Sequence, residues 1–223
     1  IDFMRQQIFA KIKNGYDCIK LKIGALDFDL ECRLLAEIRA RYSSSEVTLR
    51  VDANGAFSPE EALQKLDRLS EFDVHSIEQP IAAGQLEAMR KLCGQTPIPI
   101  ALDEALIGVL DAADKAALLD EIEPQYIILK PSLLGGFTAA EAWIALAEAR
   151  NIGWWVTSAL ESNIGLNAIA QWTATQNTSM PQGLGTGGLF TNNIDSPLLA
   201  EKGVLRYNNA LSWDTKYILK LKQ

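Results

Sequence analysis

Seven short runs of mostly apolar residues, each closing on a polar or charged one, punctuate the chain. They are CIKLK ending at Lys22, VTLRVD at Asp52, VHSIE at Glu78, IPIALD at Asp103, YIILK at Lys130, WWVTS at Ser158 and, more weakly, QGLGT at Thr186. Successive ends lie 30, 26, 25, 27, 28 and 28 residues apart. Between them run stretches with apolar residues at helical spacing, such as DLECRLLAEIRARYS, SPEEALQKLDRLSEF and GGFTAAEAWIALAEARN. The second opens with Ser58-Pro59-Glu60-Glu61, an N-cap, a proline and acids for the first turn. A strand and a helix every 25 to 30 residues make a βα unit, and seven in succession predict a (β/α) barrel. A doubly wound open sheet is the other arrangement of such units. It lacks support, because neither GxGxxG nor GxxxxGK[ST] follows the first run.

Side chains alternate faces along a strand, so each run divides into two sets. Cys18, Lys20 and Lys22 oppose Ile19, Leu21 and Ile23; Thr48, Arg50 and Asp52 oppose Val47, Leu49 and Val51. Ser76 and Glu78 oppose His75 and Ile77, and Ala101 and Asp103 oppose Ile100 and Leu102. Branched apolar residues go outward to pack under helices, and polar ones go inward. The charged residue comes last, at the C-terminal mouth where barrels of this kind carry their chemistry. His75 is placed on the helix side by this rule, and Arg50 points inward, one pair below Asp52.

Two irregularities modify the picture. Closure takes eight strands and only seven runs are found. The chain also opens without Met, in a helix-like segment, and after Thr186 the pattern gives way to a tail whose β-like run Val204–Tyr207 has no obvious partner. The expectation is a barrel domain over residues 1–190 and a tail over 191–223, cut from a longer chain whose first strand and preceding part are absent.

Composition narrows the function. Twenty-one basic against 28 acidic side chains give a net charge of −7, which argues against nucleic acid as a partner. No stretch approaches the roughly 20 apolar residues of a membrane helix, and there is no signal-peptide core. Three cysteines (Cys18, Cys32, Cys93) without CxxC spacing suit neither a disulfide framework nor zinc, and point to the cytoplasm. The single histidine, His75, excludes mechanisms that need two.

Asp52, Glu78 and Asp103 end three successive strands, so their carboxylates converge on one side of the mouth. Three hard oxygen donors suit Mg²⁺, with Mn²⁺ as the alternative. Lys20 and Lys22 flank the trio on one side and Lys130 on the other, and inward lysines beside a cation are placed to act as bases. Asn54 and Glu104 follow metal-ligand positions and are candidates to support them. Gly183, Gly185, Gly187 and Gly188 allow close backbone approach to a ligand.

The motifs KLKIG, RVDANGAF, SIEQP, ALDEA and ILKPSLLGG, in this order and spacing, resemble the muconate-lactonising branch of the enolase superfamily. SALESNIGL and QGLGTGGLF narrow the resemblance to its o-succinylbenzoate synthase family. The resemblance runs from about residue 3 to 200. It implies a (β/α)7β barrel preceded by an N-terminal capping domain, with the K-x-K strand second in the barrel and the tail returning to the cap. It further implies a Mg²⁺-dependent lyase of menaquinone biosynthesis acting on a small-molecule carboxylate. The reaction is syn-dehydration of 2-succinyl-6-hydroxy-2,4-cyclohexadiene-1-carboxylate through an ene-diolate, a chemistry in which a Lys base works against a metal-stabilised dianion. By resemblance Lys22 is the base, Lys130 the charge-stabilising lysine opposite, Lys20 an added charge near the carboxylate, and Asp52, Glu78 and Asp103 the metal ligands. Ser158, and Gly185 more loosely, are the implied substrate contacts. The same residues also suit an N-acylamino acid racemase or a dipeptide epimerase with Lys22 and Lys130 as opposed bases. A non-catalytic metal-binding barrel and a Schiff-base aldolase remain as readings of another kind, and the oligomeric state is open.

Overall fold

The computed structural model describes residues 1–214 and 216. Helix α1 (Asp2–Lys13) leads into β1 (Cys18–Lys22), followed by α2 (Phe28–Arg39), β2 (Thr48–Asp52), α3 (Pro59–Ser70), β3 (Val74–Glu78) and α4 (Leu86–Gln95). Then come β4 (Ile100–Leu102), a 3-10 turn (Glu104–Leu106), α5 (Ala112–Ile122), β5 (Tyr126–Leu129), the short α6 (Pro131–Leu134) and α7 (Phe137–Glu148). The chain continues through β6 (Gly153–Val156), α8 (Asn163–Ala174), β7 (Leu198–Glu201) and β8 (Val204–Tyr207). Strands β1 to β6 form one parallel sheet in sequence order, each joined to the next through helical segments. This is the succession of βα units that the sequence predicts.

The alternation along each strand sorts the interior into two layers. Outward-facing Leu21, Leu49, Val51, Ile77, Ile127 and Leu129 are buried in the large core that the helices close over. Inward-facing Ala101, Ile128 and Trp155 make a separate small cluster, with Tyr126 and Met180 against it. Local signals set the helix starts. At α3 the Ser58 Oγ accepts from the Glu61 N–H, while the Glu61 carboxylate accepts from the Ser58 N–H. That reciprocal pair satisfies two of the amides a helix N-terminus leaves open.

Three expectations are corrected. The seventh run does not form a strand of its own: Gly183 makes a single parallel bridge to Thr157. Its N–H donates to Val156 O at 2.8 Å and its carbonyl accepts from Ser158 N at 3.2 Å. A Cβ at Gly183 would lie 2.4 Å from Thr157 Oγ1. Glycine permits that approach but offers no side chain to bury, so the pairing goes no further. His75 does not face the helices. Between Leu49 and Arg50 the β2–β3 register shifts, with Leu49 opposite Val74 and Arg50 opposite Ser76, so His75 is the extra residue of a bulge. Its ring lies 5.2 Å from Tyr126 and 6.4 Å from Trp155, inside the barrel. The Val204–Tyr207 run has a partner after all. It pairs antiparallel with Leu198–Glu201 across Lys202 (φ 50°) and Gly203 (φ 73°), a two-residue hairpin turn of the kind that needs positive φ at both positions. Leu198 and Leu205 of the hairpin pack on the main core. The part of the predicted tail at 215 and 217–223 lies outside the described residues.

Candidate active site

Lys20 and Lys22 both leave the inner face of β1, and Asp52 and Glu78 end β2 and β3 opposite them in register. Asp103 and Lys130 fall one residue beyond β4 and β5, on the same inner side. The carboxylates are buried, with Asp52 0%, Glu78 2% and Asp103 1% exposed, whereas the Lys22 side chain is 60% exposed and open to a ligand in the mouth. Lys20 Nζ donates to Asp52 at 2.8 Å and to Glu78 at 2.7 Å. Lys22 Nζ donates to Asp52 at 2.5 Å and also to Asn54 Oδ1. On the far side Lys130 Nζ donates to Asp103. The six predicted charged residues therefore form one array, acids in the centre and lysines on both flanks.

Burial alone would raise the Asp52 carboxyl, but the Lys20 and Lys22 ammoniums outweigh it and hold the group below the usual range. Glu78 goes the other way. Burial, opposed by Lys20 and reinforced by the Asp52 charge and the neighbouring Asp103 carboxyl, pushes it up to about 8. Lys20 is raised because Glu78 and Asp52 outweigh its own burial. Glu78 Oε1 is buried with no hydrogen-bond partner among the described residues. A buried carboxylate oxygen left without a donor, beside two further acids, is a donor set that a hard divalent cation matches. As the side chains stand, no three acids among the described residues close around one point, since Asp52 and Asp103 are turned to their lysines.

The supporting residues are ordered too. Asn54, at φ 45°, receives Lys22, donates to Glu104 Oε1 at 2.8 Å, and its own N–H donates to Asp52 Oδ1 at 3.0 Å. Ser158 is buried beyond β6, with its hydroxyl 2.7 Å from that of Thr186. Gly185 is apart from the acidic trio, lining a cavity of about 610 Å³ between β1 and the Gly183 segment that Lys20 also borders. Arg50 does not pair with the ring of acids. Its guanidinium stacks on Trp155 at 3.9 Å and donates to Pro181 O at 2.9 Å, filling an interior layer. Two residues were not foreseen: Thr186 as the partner of Ser158, and Gln79, which follows Glu78. A polar side chain squeezed between a strand-end acid and Pro80 was the signal for Gln79.

Six parallel strands with acids and opposed lysines gathered at their C-terminal ends set the class of protein, and the chain belongs to the enolase C-terminal domain-like family, whose model matches residues 4–210. Within that family it is 61% identical over 203 residues to the o-succinylbenzoate synthase of Desulfotalea psychrophila, covering 91% of this chain and 55% of that protein. It is similar to the crystal structure of MenC from Desulfotalea psychrophila LSv54, with a TM-score of 0.86 and 59% identity over 92% of this chain and 56% of the other. It is 37% identical over 155 residues to the N-succinylamino acid racemase of Thermus thermophilus, covering 69% of this chain and 39% of that protein. The chain thus spans about half the length, or less, of the curated relatives it matches. No helix among the described residues is long and apolar enough to cross a membrane.

Proposed function

We propose that this chain carries the catalytic barrel of an o-succinylbenzoate synthase, a cytoplasmic lyase of menaquinone biosynthesis. The observation that carries the reading is the 61% identity to the Desulfotalea psychrophila enzyme over 91% of this chain. Enolase-superfamily enzymes generally use a divalent metal; here we assign Mg²⁺ to Asp52, Glu78 and Asp103, with Mn²⁺ as a substitute.

In this reading Lys22 Nζ takes the proton α to the substrate carboxylate and returns it to the departing hydroxyl on the same face, so that water leaves. Lys22 acts with its amine free, and the structure holds its Nζ against the Asp52 carboxylate. A bound divalent cation would offset that carboxylate charge and stabilise the negative charge that grows on the substrate carboxylate. Lys130, across the trio, donates hydrogen bonds to the opposite face, and Lys20 adds positive charge near the carboxylate. Asn54, hydrogen-bonded to both Lys22 and Glu104, keeps Lys22 in place. Ser158 and the Gly185 segment are assigned to the succinyl end. The exposed apolar side chains Leu26, Ile107, Leu110, Leu133, Leu160 and Phe190 on the segments that follow the strands support a capping domain over the mouth, with residues 1–190 as the barrel and 191–223 as a tail reaching that cap.

Product analysis with the cyclohexadiene carboxylate tests the reading. Lys22→Arg is expected to lose α-proton exchange in deuterated water, since a guanidinium does not deprotonate at accessible pH. Exchange retained in that variant would place the base elsewhere. The lysines on both faces, together with the Thermus thermophilus relative, favour one second reading, racemisation of an N-acylamino acid. Racemisation of an N-succinylamino acid in the absence of any dehydratase activity would establish it instead.

A further inference from the structure

Gln79 is 1% exposed, and its backbone is held in the left-handed region at φ 40°. Its N–H donates to Ala101 O at 2.9 Å and its carbonyl accepts from Gly55 N at 2.7 Å. Strand β4 stops at Leu102, so the amides of Asp103 and Ala105 have left the ladder. The Gln79 side chain takes both: Oε1 accepts from Asp103 N and from Ala105 N, each at 3.2 Å. Its Nε2 donates to Ile81 O at 2.9 Å. A left-handed conformation is strained for a non-glycine residue and persists only where the surroundings impose it. Here it turns the side chain that follows β3 across to the end of β4, where it replaces the ladder at the point where Asp103 needs fixing.

We propose that Gln79 is a positioning residue that sets Asp103 as a cation ligand facing Glu78. The inference rests on the metal assignment above. An apolar side chain of similar length removes the acceptor for two amides, the Asp103 one buried, and frees the Asp103 backbone, whose dihedrals (φ −126°, ψ −81°) are not those of a regular element. Loss of such supporting contacts lowers metal affinity by about 10–100-fold.

Mn²⁺ titration of the full chain, followed by electron paramagnetic resonance with no substrate present, tests this. Gln79→Met is expected to weaken Mn²⁺ binding about 10–100-fold, and Gln79→Glu, which keeps the acceptor oxygen, to retain near-wild-type affinity. A Gln79→Met protein that melts lower but binds Mn²⁺ as well as the wild type would reduce Gln79 to a purely structural role and overturn the proposal. Should Gln79→Met fail to fold, Gln79→Glu decides: retained affinity supports the proposal, and a tenfold or greater loss removes it. Asp103→Asn separates this from the underlying assignment. If Asp103→Asn loses Mn²⁺ while Gln79→Met does not, only the Gln79 inference falls. A wild type that binds no Mn²⁺ overturns the metal assignment, and this inference with it.

Discussion

Glu78, buried among other acids, is in electrostatic conflict with its surroundings, and the conflict has a readable sign. Its folded-state pKa, pushed up to about 8, lies above the ordinary carboxyl value of 4.5. A carboxyl raised on folding costs nothing below its unfolded pKa, and destabilises the fold progressively as pH rises from there through the folded value. Glu78→Gln removes that cost together with the orphaned Oε1 charge. The metal-free variant is expected to melt at or above the wild type, by about 2–4 °C for each kcal/mol relieved, with the difference widening from pH 5 to pH 8. Divalent binding and turnover should be lost in the same protein, the usual trade between stability and function at a charged site. Calorimetry in chelator checks it; a lower melting point for Glu78→Gln at pH 8 would mean that the Lys20 pair, not the crowding of acids, dominates there. The two buried cysteines carry no such tension. Cys93, pushed up to about 12 by burial, is a small core side chain.

At the scale of elements, stability is set by local signals that leave the mouth untouched. Ser58→Ala removes the α3 cap and is expected to cost about 1 kcal/mol, seen as a melting point lower by roughly 2–4 °C, while Ser58→Asp restores most of it. An unchanged Ser58→Ala melt would mean that Pro59 and helix packing alone fix the start of α3. Such elements were legible in the sequence because strand parity and helix caps are local: β1, β2 and β3 end at Lys22, Asp52 and Glu78 as the alternation requires. The inward set Lys20, Lys22, Asp52, Glu78, Asp103 and Lys130 follows from the same alternation. What escaped depends on relations between segments. The His75 bulge is a property of the β2–β3 register and cannot be counted along β3 alone. The Val204–Tyr207 partner needed the Lys202–Gly203 turn, a weaker cue than Asn-Gly. Gln79 matters through amides 24 and 26 residues away.

At the scale of the whole molecule, the sheet order β1 to β6 leaves two ends. Strand β1 pairs only with β2 among the described residues, and β6 is extended only by the Thr157–Gly183 bridge. Between those ends lies the cavity of about 610 Å³ bordered by Cys18, Lys20, Arg50, Trp155 and Gly183. Arg50 Nε and Nη2 are buried beside it without hydrogen-bond partners among the described residues, a cost that acceptors placed there would relieve. A parallel strand with one side unpaired is a template for pairing with another chain, and the exposed apolar rim of the mouth, with Leu110 69% and Leu160 53% exposed, adds a second adhesive surface. The 223-residue chain in isolation is therefore expected to self-associate with rising concentration and to bind a hydrophobic dye, as measured by light scattering and by fluorescence. Low turnover with Mg²⁺ saturating should accompany this, and a longer version supplying one apolar strand and a cap is expected to restore both monodispersity and activity. A monodisperse, cooperatively melting and fully active 223-residue protein would show that the β1 edge and the rim are satisfied within this chain, and that the barrel needs nothing more.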